Sequence, residues 1–130
     1  MEIRSSPIPS TVYEAVGGRS YFERLIDLFY DGIETDELLR PMYPEDLAES
    51  KLNMVDFVGQ YWGGPTAYSD RKGHPRLRMR HAPFPVDEAA RKAWLTHMAA
   101  AIEATQGASD EIKAAMNDYF AMAANHLVNR

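Results

Sequence analysis

The chain has 130 residues, of which 45% are hydrophobic, and a formal net charge of -5. That length suits one domain with a hydrophobic core and is too short for two. The sequence contains no cysteine, which excludes disulfide bonds, thiolate metal sites, iron–sulfur clusters and thiol nucleophiles.

Three further classes of protein are disfavoured by the sequence. The acidic balance argues against nucleic-acid binding, for which a basic domain is expected. No window reaches the roughly 18 uninterrupted apolar residues of a membrane span, and the N-terminus lacks a secretory pattern. We therefore predict a cytoplasmic protein, with a loose tail over residues 1–10 and a single domain over residues 11–130.

Two capping boxes predict the first two helices. TVYE at residues 11–14 opens a very short helix, which ends at Gly17. SYFE at residues 20–23 opens a strongly amphipathic helix that runs to about Thr35. Asp36 is then expected to cap one further turn of helix.

A corner and a third helix follow this turn. Pro41 closes the turn, and Tyr43 lies between two prolines in a corner that is expected to be ordered. The third helix is predicted from about Glu45 to Trp62. It ends at the Gly-Gly-Pro sequence of residues 63–65.

The second half of the chain predicts an irregular segment and two more long helices. Residues 66–73 are polar and lack periodicity, and long structureless loops in compact domains are usually functional. Asp87 caps a helix that reaches about Thr105, and Ser109 caps a last helix that continues to the C-terminus. With no convincing strand and no internal repeat, the sequence predicts an all-α domain with four substantial helices.

Residues 73–85, GHPRLRMRHAPFP, form the most distinctive stretch of the chain. Alternating residues suggest a strand, but Pro75 and Pro83 bracket only seven residues, so we predict a short helix with His81 at its end. Lysine and arginine fill five of the ten positions 71–80 although the whole chain is acidic, which suggests a negatively charged partner. The alternative is an ordinary capping or core histidine beside a solvated arginine face.

Few kinds of metal or cofactor site are compatible with these residues. The histidines show neither HExxH nor a paired Glu-x-x-His pattern, and there is no P-loop, dinucleotide fingerprint or GxSxG. Haem fits what remains, because it needs one imidazole on iron, a flat apolar slot between helices and cations for its propionates. His81 and the arginine cluster could supply the imidazole and the cations. Donors inside an apolar pocket could come from Tyr30, Tyr43 and Trp94, although most aromatics at helical spacing belong to the core.

From Val12 to Asn129 the chain resembles the truncated haemoglobins of group II, the O-type branch. The matching blocks are YEAVGG at residues 13–18, FY at 29–30, LRPMYPED at 39–46, QYWGGP at 60–65, GHPRLRMRHAPF at 73–84, AWL around Trp94 and LVN at 127–129. The resemblance implies an all-α, globin-like fold, the two-over-two helical sandwich of a truncated globin, and haem b as the cofactor.

The resemblance also implies roles for single residues. His81 matches the proximal histidine that binds iron, and the indole N–H of Trp94 is expected to point at the bound ligand. The three distal polar aromatics are Tyr30, Tyr43 and Trp94. The apolar positions near the haem are Phe29, Phe57, Met79 and Phe84. Ser50 falls at the distal entrance and Met54 above the iron. Asn53 stands where relatives often have an arginine. More of the propionate binding is therefore expected from the arginines before His81, among them Arg78 and Arg80.

The implied function is reversible dioxygen binding at a five-coordinate ferrous iron, for oxygen binding, sensing or redox chemistry more than for bulk oxygen transport. Carbon monoxide and nitric oxide are expected as further ligands. Two alternatives are a haem enzyme, either a nitric-oxide dioxygenase or a peroxidase with a reductase partner, and a helical interaction module whose histidine has no ligand. A homo-oligomer is compatible with the sequence.

Overall fold

The computed structural model describes residues 11–74 and 86–129. All regular elements in these ranges are helical, which confirms the all-α fold class. They are α1 (Val12–Val16), α2 (Arg19–Glu34), a 3-10 helix (Arg40–Met42), α3 (Ala48–Tyr61), α4 (Ala67–Lys72), α5 (Glu88–Ala104) and α6 (Asp110–Leu127). The predicted loose tail and the predicted short helix before His81 lie outside the described residues.

The polar caps predicted for three helices are confirmed. Thr11 accepts a hydrogen bond from the amide of Glu14 at the start of α1. Asp87 and Ser109 accept from the amides three residues later at the starts of α5 and α6. The predicted start of α2 at Ser20 is wrong: Gly18, with φ +82°, is the N-cap and makes no side-chain bond. A two-glycine turn at positive φ lets α2 begin immediately, so Ser20 lies within its first turn.

The third helix begins at Ala48 and not at Glu45. The side chain of Arg40 donates to the carbonyl oxygens of Tyr43, Pro44 and Glu45, at 3.4, 2.9 and 2.8 Å. These carbonyls are therefore held in a non-helical corner. Pro41 does not close the turn after Asp36, as predicted, but lies inside the 3-10 helix.

The expectation of an irregular segment at residues 66–73 is wrong, because α4 forms there. Its residues show no apolar periodicity, and only Tyr68 is buried. Side chains of α3 hold it instead: Gln60 donates to the hydroxyl of Ser69 at 2.7 Å and accepts from the amide of Ser69 at 2.9 Å. A helix held by such tertiary contacts leaves little signal in local sequence.

The core is built around α2, which packs against both α3 and α5, while α5 also packs against α6. The helices thus form the two pairs of the predicted two-over-two arrangement, α2 with α3 and α5 with α6. The fully buried side chains of α2 are Tyr21, Phe22, Leu25, Ile26, Phe29 and Ile33. No described helix is both long and apolar enough to span a membrane.

Candidate functional site

Three aromatic residues with polar tips meet where α2, the corner after the 3-10 helix and α5 come together. Tyr30 and Tyr43 are in edge-to-face contact, with ring centroids 5.6 Å apart. Trp94 packs on Phe29, the neighbour of Tyr30, at 4.9 Å. The structure therefore brings together the three predicted distal residues.

The indole N–H of Trp94 lies near the hydroxyl of Tyr43. Burial raises the pKa of Tyr43 to about 12, and the nearby indole N–H, which favours the ionised form, only partly offsets this shift. The pKa of Tyr30 is also raised, first by burial and then by the neighbouring Tyr43. Both hydroxyls therefore keep their protons at neutral pH and can act as hydrogen-bond donors.

One side of α3 faces the same region. Ser50, Met54 and Phe57 follow each other at helical spacing and are all partly buried. The hydroxyl of Tyr30 donates to the carbonyl oxygen of Ser50 at 3.5 Å, a long hydrogen bond. Next to Ser50 is an open cavity of about 450 Å³, lined by Pro44, Asp46, Glu49, Ser50 and Asn53. These positions are compatible with the predicted entrance at Ser50.

Asp56 organises the far side of α3, and sequence reasoning missed it. Its carboxylate is 6% exposed and accepts hydrogen bonds from Arg19 of α2 and Arg71 of α4, both at 2.7 Å. Burial opposes ionisation, but the two arginines outweigh it and hold the pKa of Asp56 below its usual value. Arg71 also donates to Asn53 at 2.7 Å, so Asn53 contributes to the attachment of α4. An acidic residue between the apolar Val55 and Phe57 was the only sequence signal.

Arg40 is a second residue that sequence reasoning missed. Its three bonds to corner carbonyls, described above, fix the backbone that carries Tyr43. Leu39, 2% exposed, anchors the same segment in the core. Tyr43 is thus held by a buried anchor before it and by a guanidinium beside it.

Five predicted haem contacts lie outside the described residues: Arg78, Met79, Arg80, His81 and Phe84. Both flanks of their segment are anchored. Before it, α4 is bound to α3 as described. After it, the amide of Val86 donates to the side chain of Asn129 at 3.0 Å, and the amide of Asn129 donates to the carbonyl oxygen of Val86 at 2.8 Å.

The described residues fit the haem that the sequence predicts. A haem needs one axial side chain from the protein, a flat apolar wall and hydrogen-bond donors for its ligand. Met54 and Phe57, which are partly exposed, offer apolar surface, while Phe29 is fully buried against Trp94. Tyr43 offers a protonated hydroxyl near the indole of Trp94. Among the described residues, no group of three or more His, Asp or Glu could hold a free metal ion instead.

Comparison with known proteins gives a consistent result. The family model described as bacterial-like globin matches residues 11–127. The chain is 37% identical over 118 residues to the Group 2 truncated hemoglobin YjbI of Bacillus subtilis, which covers 91% of this chain and 88% of that protein. The structure is similar to the hemoglobin of Chloroflexus aurantiacus, with a TM-score of 0.90, 46% identity, and coverage of 94% of this chain and 100% of that one. It is also similar to the Group II truncated hemoglobin of Bacillus anthracis, with a TM-score of 0.88, 36% identity, and coverage of 95% and 94%.

Proposed function

Because this chain belongs to the bacterial-like globins, in their truncated-haemoglobin branch, it is a haem globin that binds oxygen, and we propose that Tyr43 and Trp94 control how long the oxygen stays. We further propose that the cofactor is haem b and that His81 is its axial ligand. A five-coordinate ferrous iron would leave one position for a diatomic ligand. The haem, when bound, would supply the iron to which the diatomic ligand binds.

The observation that carries this proposal is the packing of Tyr43 on Tyr30 and of Trp94 on Phe29, the neighbour of Tyr30, which brings the indole N–H near the Tyr43 hydroxyl. A hydroxyl that accepts one hydrogen bond becomes a stronger donor for the next, since bonds in a chain polarise one another. Tyr43 can accept from Trp94 and donate its own proton to a ligand in the pocket at the same time. Bound dioxygen would carry partial negative charge and would accept such a bond well, whereas carbon monoxide would accept it weakly.

The remaining residues have simpler proposed roles. Met54 and Phe57 form an apolar wall, Phe29 supports Trp94 from the core, and Ser50 borders the entrance. The hydroxyl of Tyr30 donates a long hydrogen bond to the Ser50 carbonyl. Tyr30 becomes a second donor to the ligand if its hydroxyl leaves this carbonyl and bonds the ligand instead. Arg78 and Arg80 are assigned to the haem propionates. Met79 and Phe84 are assigned as apolar neighbours of the haem.

Replacing the Tyr43 hydroxyl tests the proposal. Tyr43→Phe should raise the dioxygen dissociation rate by about 10- to 150-fold, because a hydrogen bond to a charged acceptor is worth roughly 1.5–3 kcal/mol. Trp94→Phe should act in the same direction, and the effects of the two changes should not add, because both belong to one network. Stopped-flow dissociation of dioxygen and carbon monoxide from the ferrous holoprotein measures both.

The carbon monoxide rate is the control for steric effects. If removing Tyr43 or Trp94 only widened the pocket, both ligands would leave faster by similar factors, and the donor role would be wrong. The nitric-oxide dioxygenase and peroxidase alternatives use the same donors. Turnover with a reductase is the measurement that separates them from simple ligand binding.

A further inference from the structure

A hydrogen bond between Asp36 and His97 connects the end of α2 to the middle of α5. Nε2 of His97 lies 2.7 Å from Oδ2 of Asp36. The other carboxylate oxygen, Oδ1, accepts from the amides of Leu38 and Leu39 at 2.9 and 3.0 Å. A single carboxylate therefore holds both the turn that leads to the corner and the helix that packs beside it.

The His97 ring packs against α2 at Gly32, a position that has room for the ring only because glycine has no side chain. A methyl group on Gly32 would overlap this ring, so the imidazole lies directly against the helix backbone. One turn earlier on both helices, Phe29 contacts Trp94. The two contacts form a continuous seam between α2 and α5, and His97 lies at the end that is closer to Asp36.

The seam and the corner form a closed ring of contacts. Asp36 begins the segment that carries Tyr43, and α5 carries both His97 and Trp94. Contacts from Tyr43 to Tyr30, from Tyr30 to Phe29 and from Phe29 to Trp94 close the ring. We propose that the Asp36–His97 bond is a strut that sets the separation of Tyr43 and Trp94, which makes Asp36 and His97 positioning residues for ligand retention. This inference rests on the proposed function, because it extends the role given there to the two donors.

Geometry explains why the pocket would need such a strut. A hydrogen bond weakens steeply when its angle falls below about 120° or when its atoms separate beyond normal contact. Tyr43 and Trp94 are on different elements, so relative movement of the corner and α5 changes both the distance and the angle between their polar groups. The strut is suited to resist this movement, because its side chains are only 26% and 17% exposed and a carboxylate acceptor strengthens the bond.

Three variants test the strut from different directions. His97→Leu removes the bond and keeps an apolar side chain on the seam. Gly32→Ala displaces the imidazole while leaving both bonding groups intact, and alanine favours a helix. His97→Gln retains an N–H that can reach Asp36 and should restore function. Glu88→Gln is the matched control, because it breaks an ion pair with Arg91 within α5 that does not involve α2.

Two measurements on the ferrous holoprotein decide the outcome. The first is the indole N–H resonance of Trp94 in the carbon monoxide form, assigned by its loss in Trp94→Phe; the chain has only two tryptophans. The second is the pair of dissociation rates for dioxygen and carbon monoxide.

His97→Leu and Gly32→Ala should shift the resonance and speed dioxygen release about three- to tenfold, within the range for residues coupled in one network. Carbon monoxide release should change less than about twofold, and Glu88→Gln should match the parent protein.

An unchanged Trp94 resonance and an unchanged dioxygen rate in His97→Leu, alongside the expected effect of Trp94→Phe, would overturn the strut and leave the proposed function standing. If Trp94→Phe itself had no effect on dioxygen, the proposed function would fail, and the resonance alone would decide whether the strut positions Trp94. Circular dichroism checks folding. Should His97→Leu fail to fold, the contrast between Gly32→Ala and His97→Gln replaces it, and equal behaviour of these two would overturn the strut.

Discussion

Tyr43 shows how strongly the behaviour of one side chain depends on distant parts of the chain. Its hydroxyl is kept protonated by burial, and the indole of Trp94, 51 positions later in the sequence, lies near it. No local pattern links the two residues. Their proximity could be predicted only through the resemblance to truncated haemoglobins, whereas the burial that raises the pKa of Tyr43 required the structure.

His81 carries the clearest prediction for a single residue. His81→Ala should abolish stable haem binding or leave the iron without its axial imidazole, because the prediction gives no other residue that role. Absorption and resonance Raman spectra of the reconstituted protein measure the effect, and circular dichroism of the apoprotein detects misfolding. His126→Ala is the control, since His126 is an exposed histidine on α6. An unchanged histidine-ligated spectrum in His81→Ala would point to His74 instead.

Local polar contacts were predicted from sequence where they act within one turn. The caps at Thr11, Asp87 and Ser109 need only a side chain and the amide three residues later. Asp56 and Arg40 were missed, because their partners lie on other elements or on backbone carbonyls that the sequence pattern does not mark. A charged residue in an amphipathic helix is usually solvated, so burial of Asp56 has no reliable local signal.

At the scale of elements, the strength of the apolar pattern decided what could be predicted. The long helix α2 buries seven side chains on one face, and its periodicity was visible directly. In contrast, α4 has six residues and one buried side chain. It is attached to α3 by Gln60 and Arg71, and such attachment appears in the sequence only as isolated polar residues.

The attachment of α4 through Asp56 gives a prediction at this scale. Asp56→Asn should lower the free energy of unfolding by about 1.5–3 kcal/mol, because it leaves two arginines without their shared carboxylate. Urea denaturation of the apoprotein measures this loss. Asp27→Asn is the matched control: Asp27 also pairs with a residue of α3, Lys51, but at 3.6 Å and with 66% of its side chain exposed. Its effect should be within about 0.5 kcal/mol, and equal effects of the two changes would contradict the importance of the buried carboxylate.

At the scale of the whole molecule, the fold class and the helix pairs were predictable, and the arrangement of the pairs was not. Four amphipathic helices in two groups follow from periodicity and from the position of the irregular region. Helices of this kind can pack in several ways. The truncated-globin arrangement could be predicted only from the resemblance. Contacts between α2 and α5, such as Phe29 with Trp94, hold the helices in this arrangement.

Acid should destabilise the molecule through two aspartates in particular. The pKa of Asp36 is lowered, chiefly by the hydrogen bond from His97, and that of Asp56 is lowered because two arginines outweigh its burial. A depressed folded-state pKa contributes stability above the unfolded value of about 3.9, and this contribution is lost as the pH falls further. Unfolding free energy measured from pH 6 to pH 2.5 should therefore drop below about pH 4. The drop should be shallower in Asp56→Asn, and a parallel curve for that variant would show that Asp56 does not contribute.

The position of α2 between α3 and α5 has a consequence for the order of folding. Contacts between α2 and α3 join neighbouring parts of the chain and can form early. Contacts between α2 and α5, such as Gly32 with His97, close a loop of more than sixty residues, and closing a longer loop costs more chain entropy. During synthesis, the first helical pair can assemble while residues 88–104 are still inside the ribosome. The contact of Trp94 with Phe29 is therefore formed late, and a partly folded chain can contain α2 and α3 without the pocket that we propose for the ligand.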